Sequence, residues 1–324
     1  MTTARTVPVT IEMDGDELDA EDAWRQLRKV GVRRLGTDAF VRFRYGDGFS
    51  SSRALALQAS LAVVPFMLAL TGLVADIDED RPARVLARTV AAISPGSGDS
   101  DAMAGALRGS AASELSGEIA LWLGLGFALL SMTTAMAQIE RGVNRIYGIR
   151  RDRPALHKYG RAAVLTLILA LPVGAGFLLL VAGGAFGEAM VTDYGWSDGV
   201  SDTWNVARWP VGLVLLVLTI ALVLNHSPRR RQPGLSWLAS GAAVAVVLNL
   251  LSTGLLALYV HESPSFGDVY GPLAGIFALL LWALLSSMAL FFGAALCAQL
   301  EAYRSGQEEP TYDDPGRPHG VNVS

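Results

Sequence analysis

The sequence is poor in charge, in cysteine and in the motifs of hydrolytic chemistry. Asp, Glu, Lys and Arg make up only 17% of its 324 residues, against about 25% in ordinary soluble domains. Its single cysteine, Cys297, excludes a disulfide framework and any structural zinc site that needs two thiolates. A formal net charge of −4 argues against a globally basic nucleic-acid binder. The four histidines, His157, His226, His261 and His319, are scattered, and none has a metal-ligand spacing such as H-E-x-x-H. There is no G-x-S-x-G elbow and no Walker lysine motif. An enzyme is therefore not expected, and no catalytic residue, metal or cofactor is implied.

What is present is oil: 52% of the residues are hydrophobic. A bilayer core of about 30 Å needs roughly 20 apolar residues as a helix. Six runs meet or approach that length: 54–75, 119–136, 162–185, 209–224, 235–260 and 273–298. None carries Asp, Glu, Lys or Arg in its interior. One run alone would fit a soluble helical core, but six in succession predict an all-α polytopic membrane protein with six transmembrane helices. Residues 1–23 are acidic, lack an apolar signal-peptide core and are expected to be disordered. The first span is then an uncleaved anchor. The tail, 304–324, carries Pro, Gly and acids and is likewise expected to be disordered.

Charge asymmetry predicts the topology. Of the Lys and Arg residues, 21 fall in the two terminal segments and the second and fourth loops, and 5 fall in the other loops. The positive-inside rule then places both termini in the cytoplasm. Trp122, Trp209 and Trp237 stand near span ends, where indoles favour the headgroup level, whereas Trp282 falls mid-span and is expected to pack.

Outside the spans, residues 24–43 within the basic segment 24–53 interleave Arg and Lys with apolar side chains and predict an amphipathic helix on the cytoplasmic leaflet. A second amphipathic stretch, 81–93, lies in the long first outer loop, ahead of a Gly- and Ser-rich stretch expected to be mobile. Membrane lipids, with envelope proteins as further partners, are therefore expected in place of nucleic acid; the sequence does not give the oligomeric state.

Several residues are candidates for function, each with a plainer structural role beside it. Gln58 and Asn249 lie inside spans and need polar partners, either in a polar pathway or as interhelical hydrogen bonds. Pro65 and Pro172 each remove a helical hydrogen bond and are candidate kinks. Glu140, Arg141, Asn144, Arg145 and Tyr147 follow the second span at helical spacing. That cluster would suit an anionic headgroup, or would be a self-satisfied helix end. The Gly183/Gly187 and Gly271/Gly275 pairs permit close helix approach without indicating a substrate.

The order of these features resembles the YihY/BrkB family of bacterial inner-membrane proteins, some members of which carry a ribonuclease label. The resemblance rests on Ala62-Val63-Val64-Pro65, on Asn144-Arg145-Ile146-Tyr147-Gly148 with Arg150-Arg151-Asp152-Arg153-Pro154, and on Arg229-Arg230-Arg231-Gln232-Pro233-Gly234. It continues through Val269-Tyr270-Gly271-Pro272, Leu280-Leu281-Trp282 and Phe292-Gly293-Ala294-Ala295. The chain departs from the family pattern at Leu57 and Gln58, at Ala62, and above all at Ala295, where the family commonly has an acid. The resemblance implies an inner-membrane protein linked to virulence or to envelope lipids. Transport or accommodation of a lipid or other amphiphile is the expectation; a non-transporting envelope scaffold is the alternative, and a ribonuclease comes last.

Overall fold

A computed structural model of the chain describes residues 4–12, 18–76, 85, 117–262 and 274–314. Six stretches of helix among them are long and apolar enough to cross a membrane. The helical elements are α1 (Ala20–Val30), α2 (Val32–Tyr45), α3 (Gly48–Asp76), α4 (Gly117–Ile146), α5 (Ala155–Phe177), α6 (Gly183–Tyr194), α7 (Asp198–His226), α8 (Leu235–Glu262) and α9 (Ala274–Arg304). A π-helical turn, Leu178–Ala182, joins α5 to α6, so the two form one continuous span.

The spanning helices contact one another in chain order. Each packs on the next, α3 on α4, α4 on α5, α5 on α7, α7 on α8 and α8 on α9, and α9 closes the ring against α3. Several spans outrun their apolar runs. The second reaches Ile146 where 136 is expected, and the fourth starts at Asp198 where 209 is expected. The third covers 40 residues, Ala155–Tyr194, about 60 Å at the helical rise, twice the hydrocarbon thickness. Hydropathy reports only the lipid-facing length. Helices continue past it wherever backbone hydrogen bonds and neighbouring helices sustain them.

The predicted kink positions are both helix interior. α3 runs through Pro65, and α5 runs through Pro172 into the π-helical turn. The Gly183/Gly187 pair does admit a neighbour: an added Cβ at Gly187 would stand 2.9 Å from Trp204 of α7. Gly271 and Tyr270 lie outside the described residues, as does most of the 81–93 stretch.

Two expectations are corrected at the end of the bundle where the chain begins and finishes. Disorder is expected at both termini, yet Ala4–Thr6 (β1) pairs antiparallel with Tyr312–Asp314 (β2). The residues after β1 run on across the bundle. Val7 and Thr10 are buried, and the Thr10 amide donates to the Tyr147 carbonyl at 3.1 Å. Gly148, at φ +79°, is where that crossing is tightest: a Cβ there would stand 2.3 Å from the Pro8 carbonyl oxygen. The basic amphipathic segment is also not one lipid-facing helix. It breaks at Gly31 into α1 and α2, which pack on α8 and α9, burying Leu35, Ala39 and Phe43. The apolar stripe reads the same against lipid or protein; only the neighbours distinguish them.

The main core lies at this same end. It is built from Val143, Ile146 and Tyr147 at the end of α4, Leu224 of α7, Trp237 and Leu238 of α8, and the second half of α9. Trp237 is fully buried, which corrects its placement at the lipid interface. Gly241 of α8 and Gly293 of α9 meet back to back. A Cβ on Gly241 would stand 2.5 Å from the Gly293 carbonyl oxygen, so the two backbones touch only because both positions lack side chains.

The opposite half buries less. Among the described residues, α7 before Gly212, α8 beyond Val246 and α9 before Ala283 contribute no buried residue. Among the described residues, the large buried side chains are thus concentrated at the end carrying the termini.

Candidate functional site

The closed end is tied by buried charges. Glu301, near the end of α9, accepts from Tyr147 Oη at 3.2 Å and from the Arg230 guanidinium at 2.7 Å. Arg230 also lies over the Tyr147 ring, 4.8 Å from its centroid. Beside them, Arg42 of α2 donates to the Ile146 carbonyl at 3.0 Å, to Gln299 Oε1 at 3.1 Å, to the Pro8 carbonyl and to the Thr10 hydroxyl. Five segments therefore meet on one group of side chains: the N-terminal stretch, α2, the end of α4, the α7–α8 loop and the end of α9. Burial lowers the Arg42 pKa to about 10, with Tyr147 and Glu301 pulling the other way. Burial likewise raises the Tyr147 phenol well above its usual value, and the Glu301 carboxylate adds to that.

A second tie sits alongside. Glu140, buried on α4, accepts from Arg153 at 2.9 Å, and Arg161 stands 3.8 Å from its other oxygen. Arg153 also reaches the Ser227 and Pro228 carbonyls, which fixes the α7–α8 loop. Burial lowers the Arg153 pKa and Arg161 lowers it further, while Glu140 opposes both.

The predicted cluster after the second span thus divides. The side chains of Glu140 and Tyr147 are consumed by these ties. Asn144 is buried and its Oδ1 accepts from the Arg229 amide at 2.7 Å, a capping contact for the loop. Arg141 stands 3.9 Å from Asp152. Arg145, 3.7 Å from Asp47, alone among these five lines a described pocket. Pro233 gives its carbonyl to Asn225 at 3.3 Å, and the Gly234 carbonyl starts α8 by accepting from the Trp237 and Leu238 amides.

At mid-span the polar residues separate into two places. Asn249 Oδ1 accepts from Ser286 Oγ at 2.7 Å, linking α8 to α9. One turn further along α8, Trp282 Nε1 donates to Thr253 Oγ1 at 3.1 Å. Trp282 is 41% exposed and meets α8 through this bond. The two pairs link α8 to α9 where the buried parts of these helices give way to exposed ones. Gln58 is not joined to them. Its Oε1 is buried on α3 without a protein partner, as is the Ser60 hydroxyl.

Sequence reasoning does not single out Arg42, Gln299 or Glu301, and it names Arg230 only within the Arg229–Arg231 run, which it ascribes to topology. Glu301 has a signal: an acid close behind the long apolar stretch at the end of α9. Arg42 has a weaker one, standing between Val41 and Phe43 on a helix whose other basic residues are exposed. Ala295, where the resemblance places an acid, is fully buried in the apolar core. Among the described residues, the buried carboxylates at that end are those of Asp22, Glu140 and Glu301.

Six apolar spans and an interior tied by buried ion pairs define a multi-pass membrane protein. The chain belongs to the virulence factor BrkB family, whose description matches residues 39–317. It is 30% identical over 192 residues to a UPF0761 membrane protein of Idiomarina loihiensis, covering 59% of this chain and 65% of that one. It is 24% identical over 192 residues to YfkH of Bacillus subtilis, a protein named as ribonuclease-like, covering 59% and 70%. A UPF0761 membrane protein of Pseudomonas aeruginosa is 32% identical over 186 residues, covering 56% of this chain and 43% of that one. The matched region thus spans from under half to somewhat over two thirds of these relatives. No solved structure matches.

Proposed function

We propose that this protein accommodates and moves a lipid or other amphiphile, entering through the less buried half of the bundle. The observation that carries this reading is the division of the spans. Ion pairs and core packing close one end, while α8 and α9 contribute no buried residue beyond the polar pairs Asn249–Ser286 and Thr253–Trp282. Apolar walls over a few hydroxyl and amide groups suit a molecule with an acyl chain and a polar head. The charge asymmetry supports both termini being cytoplasmic in an inner membrane, with the less buried half facing the outer leaflet.

The test is lipid translocation in liposomes, using purified full-length protein, a headgroup-labelled phospholipid and an impermeant quencher. Protein-free vesicles lose only the outer-leaflet signal. Dose-dependent loss of the inner-leaflet signal in intact vesicles is expected, and its decrease in Asn249→Leu/Ser286→Ala would tie the path to that pair. Quenching at the protein-free level, with a stable partner protein retained through purification, would replace transport with scaffolding. RNA cleavage that follows the purified protein would favour the ribonuclease reading instead.

A further inference from the structure

We propose that the closed end carries a binding site for a phosphate group, in the pocket where Arg5, Arg145 and Arg150 converge. The pocket has a volume of about 230 Å³. Three segments distant in sequence build it: β1, the turn between α2 and α3, and the end of α4 with the residues after it. A water molecule claims about 30 Å³, so there is room for a phosphate with its ester groups. Among the described residues, the lining includes three arginines and one acidic residue, Asp47.

Two of the three arginines are loosely held. Arg145 stands 3.7 Å from Asp47, and Arg5 stands 4.0 Å from Asp313. Both separations exceed hydrogen-bond length, and the side chains of all four residues are at least 41% exposed. The buried ties nearby close at 2.7 and 2.9 Å, shorter than either. Arg150 donates to the Thr6 hydroxyl, which holds β1 against the pocket. Guanidinium groups bind phosphate through paired, charge-assisted hydrogen bonds. Topology alone asks only for basic residues near span ends; it does not ask three of them to face one cavity.

The first two helices able to span a membrane begin at Gly48 and end at Ile146, so Asp47 and Arg145 stand at their ends, beyond the apolar runs 54–75 and 119–136. Tyr45 lines the pocket with the Arg5 guanidinium 5.8 Å from its ring centroid, and close by in the chain Phe40 and Phe49 are exposed and pack on each other and on Phe43. A phosphate in a cationic pocket beside exposed rings is the arrangement an anionic phospholipid would meet. A free phosphate would use the same guanidiniums without the rings. The proposal does not depend on transport, because the pocket lies at the end opposite the less buried half.

The test is equilibrium binding to full-length protein in a neutral detergent. The probes are inorganic phosphate and short-chain dihexanoyl phosphatidylglycerol. Wild type is expected to bind, with affinity falling as salt rises. Arg145→Gln/Arg150→Gln is expected to weaken binding about ten-fold or more, the worth of one or two charge-assisted hydrogen bonds. Asp47→Asn, which removes the competing carboxylate, is expected to strengthen it. Arg33→Gln, an exposed α2 position outside the pocket, is expected to change nothing. Tighter binding of the lipid than of phosphate, with phosphate competing, identifies a lipid source; equal affinity identifies the free anion. Failure of both probes to bind wild type overturns the proposal. So does equal affinity in wild type and the double variant while the latter stays monodisperse.

Discussion

Tyr147 and Glu301, 154 positions apart in the chain, are joined by a hydrogen bond of 3.2 Å at the closed end of the bundle. Each stands at the end of a span, one following α4 and one in the last turns of α9. Arg230, from the loop between α7 and α8, completes the group by bonding Glu301 and covering the Tyr147 ring. The run of three arginines in that loop is therefore anchored inward by its middle member.

That group predicts an asymmetry between single and double substitutions. Glu301→Leu leaves Arg230 buried and unpaired, and about 3–5 kcal/mol of stability should be lost. Glu301→Leu/Arg230→Met removes both charges and should recover most of that loss. Melting temperatures of the detergent-purified variants check this. A double variant no more stable than the single one would contradict the pairing.

Tyr147 also predicts a pH response. Its phenol pKa is raised in the folded protein above the ordinary value of 10.0. The folded state therefore keeps this proton where the unfolded state loses it. The stability Tyr147 contributes is full below pH 10.0 and declines as pH rises above it. Arg42, lowered to about 10, has the opposite sign, because its burial penalty is relieved as it loses its proton. Subtracting a Tyr147→Phe variant isolates the tyrosine. The absorbance difference at alkaline pH should be silent in the folded protein and appear on unfolding.

The contact of Gly241 with Gly293 predicts a packing defect. Gly293→Leu places a side chain against the Gly241 carbonyl, where even a Cβ would stand 2.6 Å away. Forced separation of α8 and α9 should cost about 1–3 kcal/mol. Gly254→Ala, on the open part of α8 with nothing within 4 Å of an added Cβ, should be neutral. Comparing the two variants by thermal unfolding separates a contact effect from a general intolerance of α8 and α9 to substitution.

Orientation can be checked through cysteine. Cys297 is buried, so it gives a low labelling background. A cysteine replacing exposed Thr192, at the far end of the third span, should react with an impermeant maleimide in intact cells. One replacing exposed Glu309, after the last span, should react only after permeabilisation. The reverse pattern would invert the proposed topology.

Much of the fold was legible because the bilayer imposes it. Six apolar runs without interior charge define six spans, since a buried backbone in lipid must pair with itself. The ends of the spans were less legible. Residues 198–208 carry charge and polar groups, so hydropathy stops short of them, yet they are helical at the start of α7. That stretch is held by a neighbour instead: Trp204 Nε1 donates to the Gly183 carbonyl at 2.7 Å. The candidate cluster was legible as a cluster but not in its roles: Glu140, Asn144 and Tyr147 face inward as ties, while Arg145 faces a pocket.

By itself, then, the sequence determined that this chain crosses a membrane six times, that its positive charge is concentrated in alternate connecting segments, and that polar groups such as Asn249 must find partners. Those properties follow from local hydropathy and from the number of charges in each loop. Only the tertiary structure decided which charges close the bundle and which face an open pocket. Arg42, Arg145 and Arg230 are chemically alike in sequence. One finds carbonyls, an amide and a hydroxyl, one faces a pocket, and one finds a carboxylate, because helices far apart in the chain place different neighbours around each. Burial and partner geometry, which no single segment contains, set their roles.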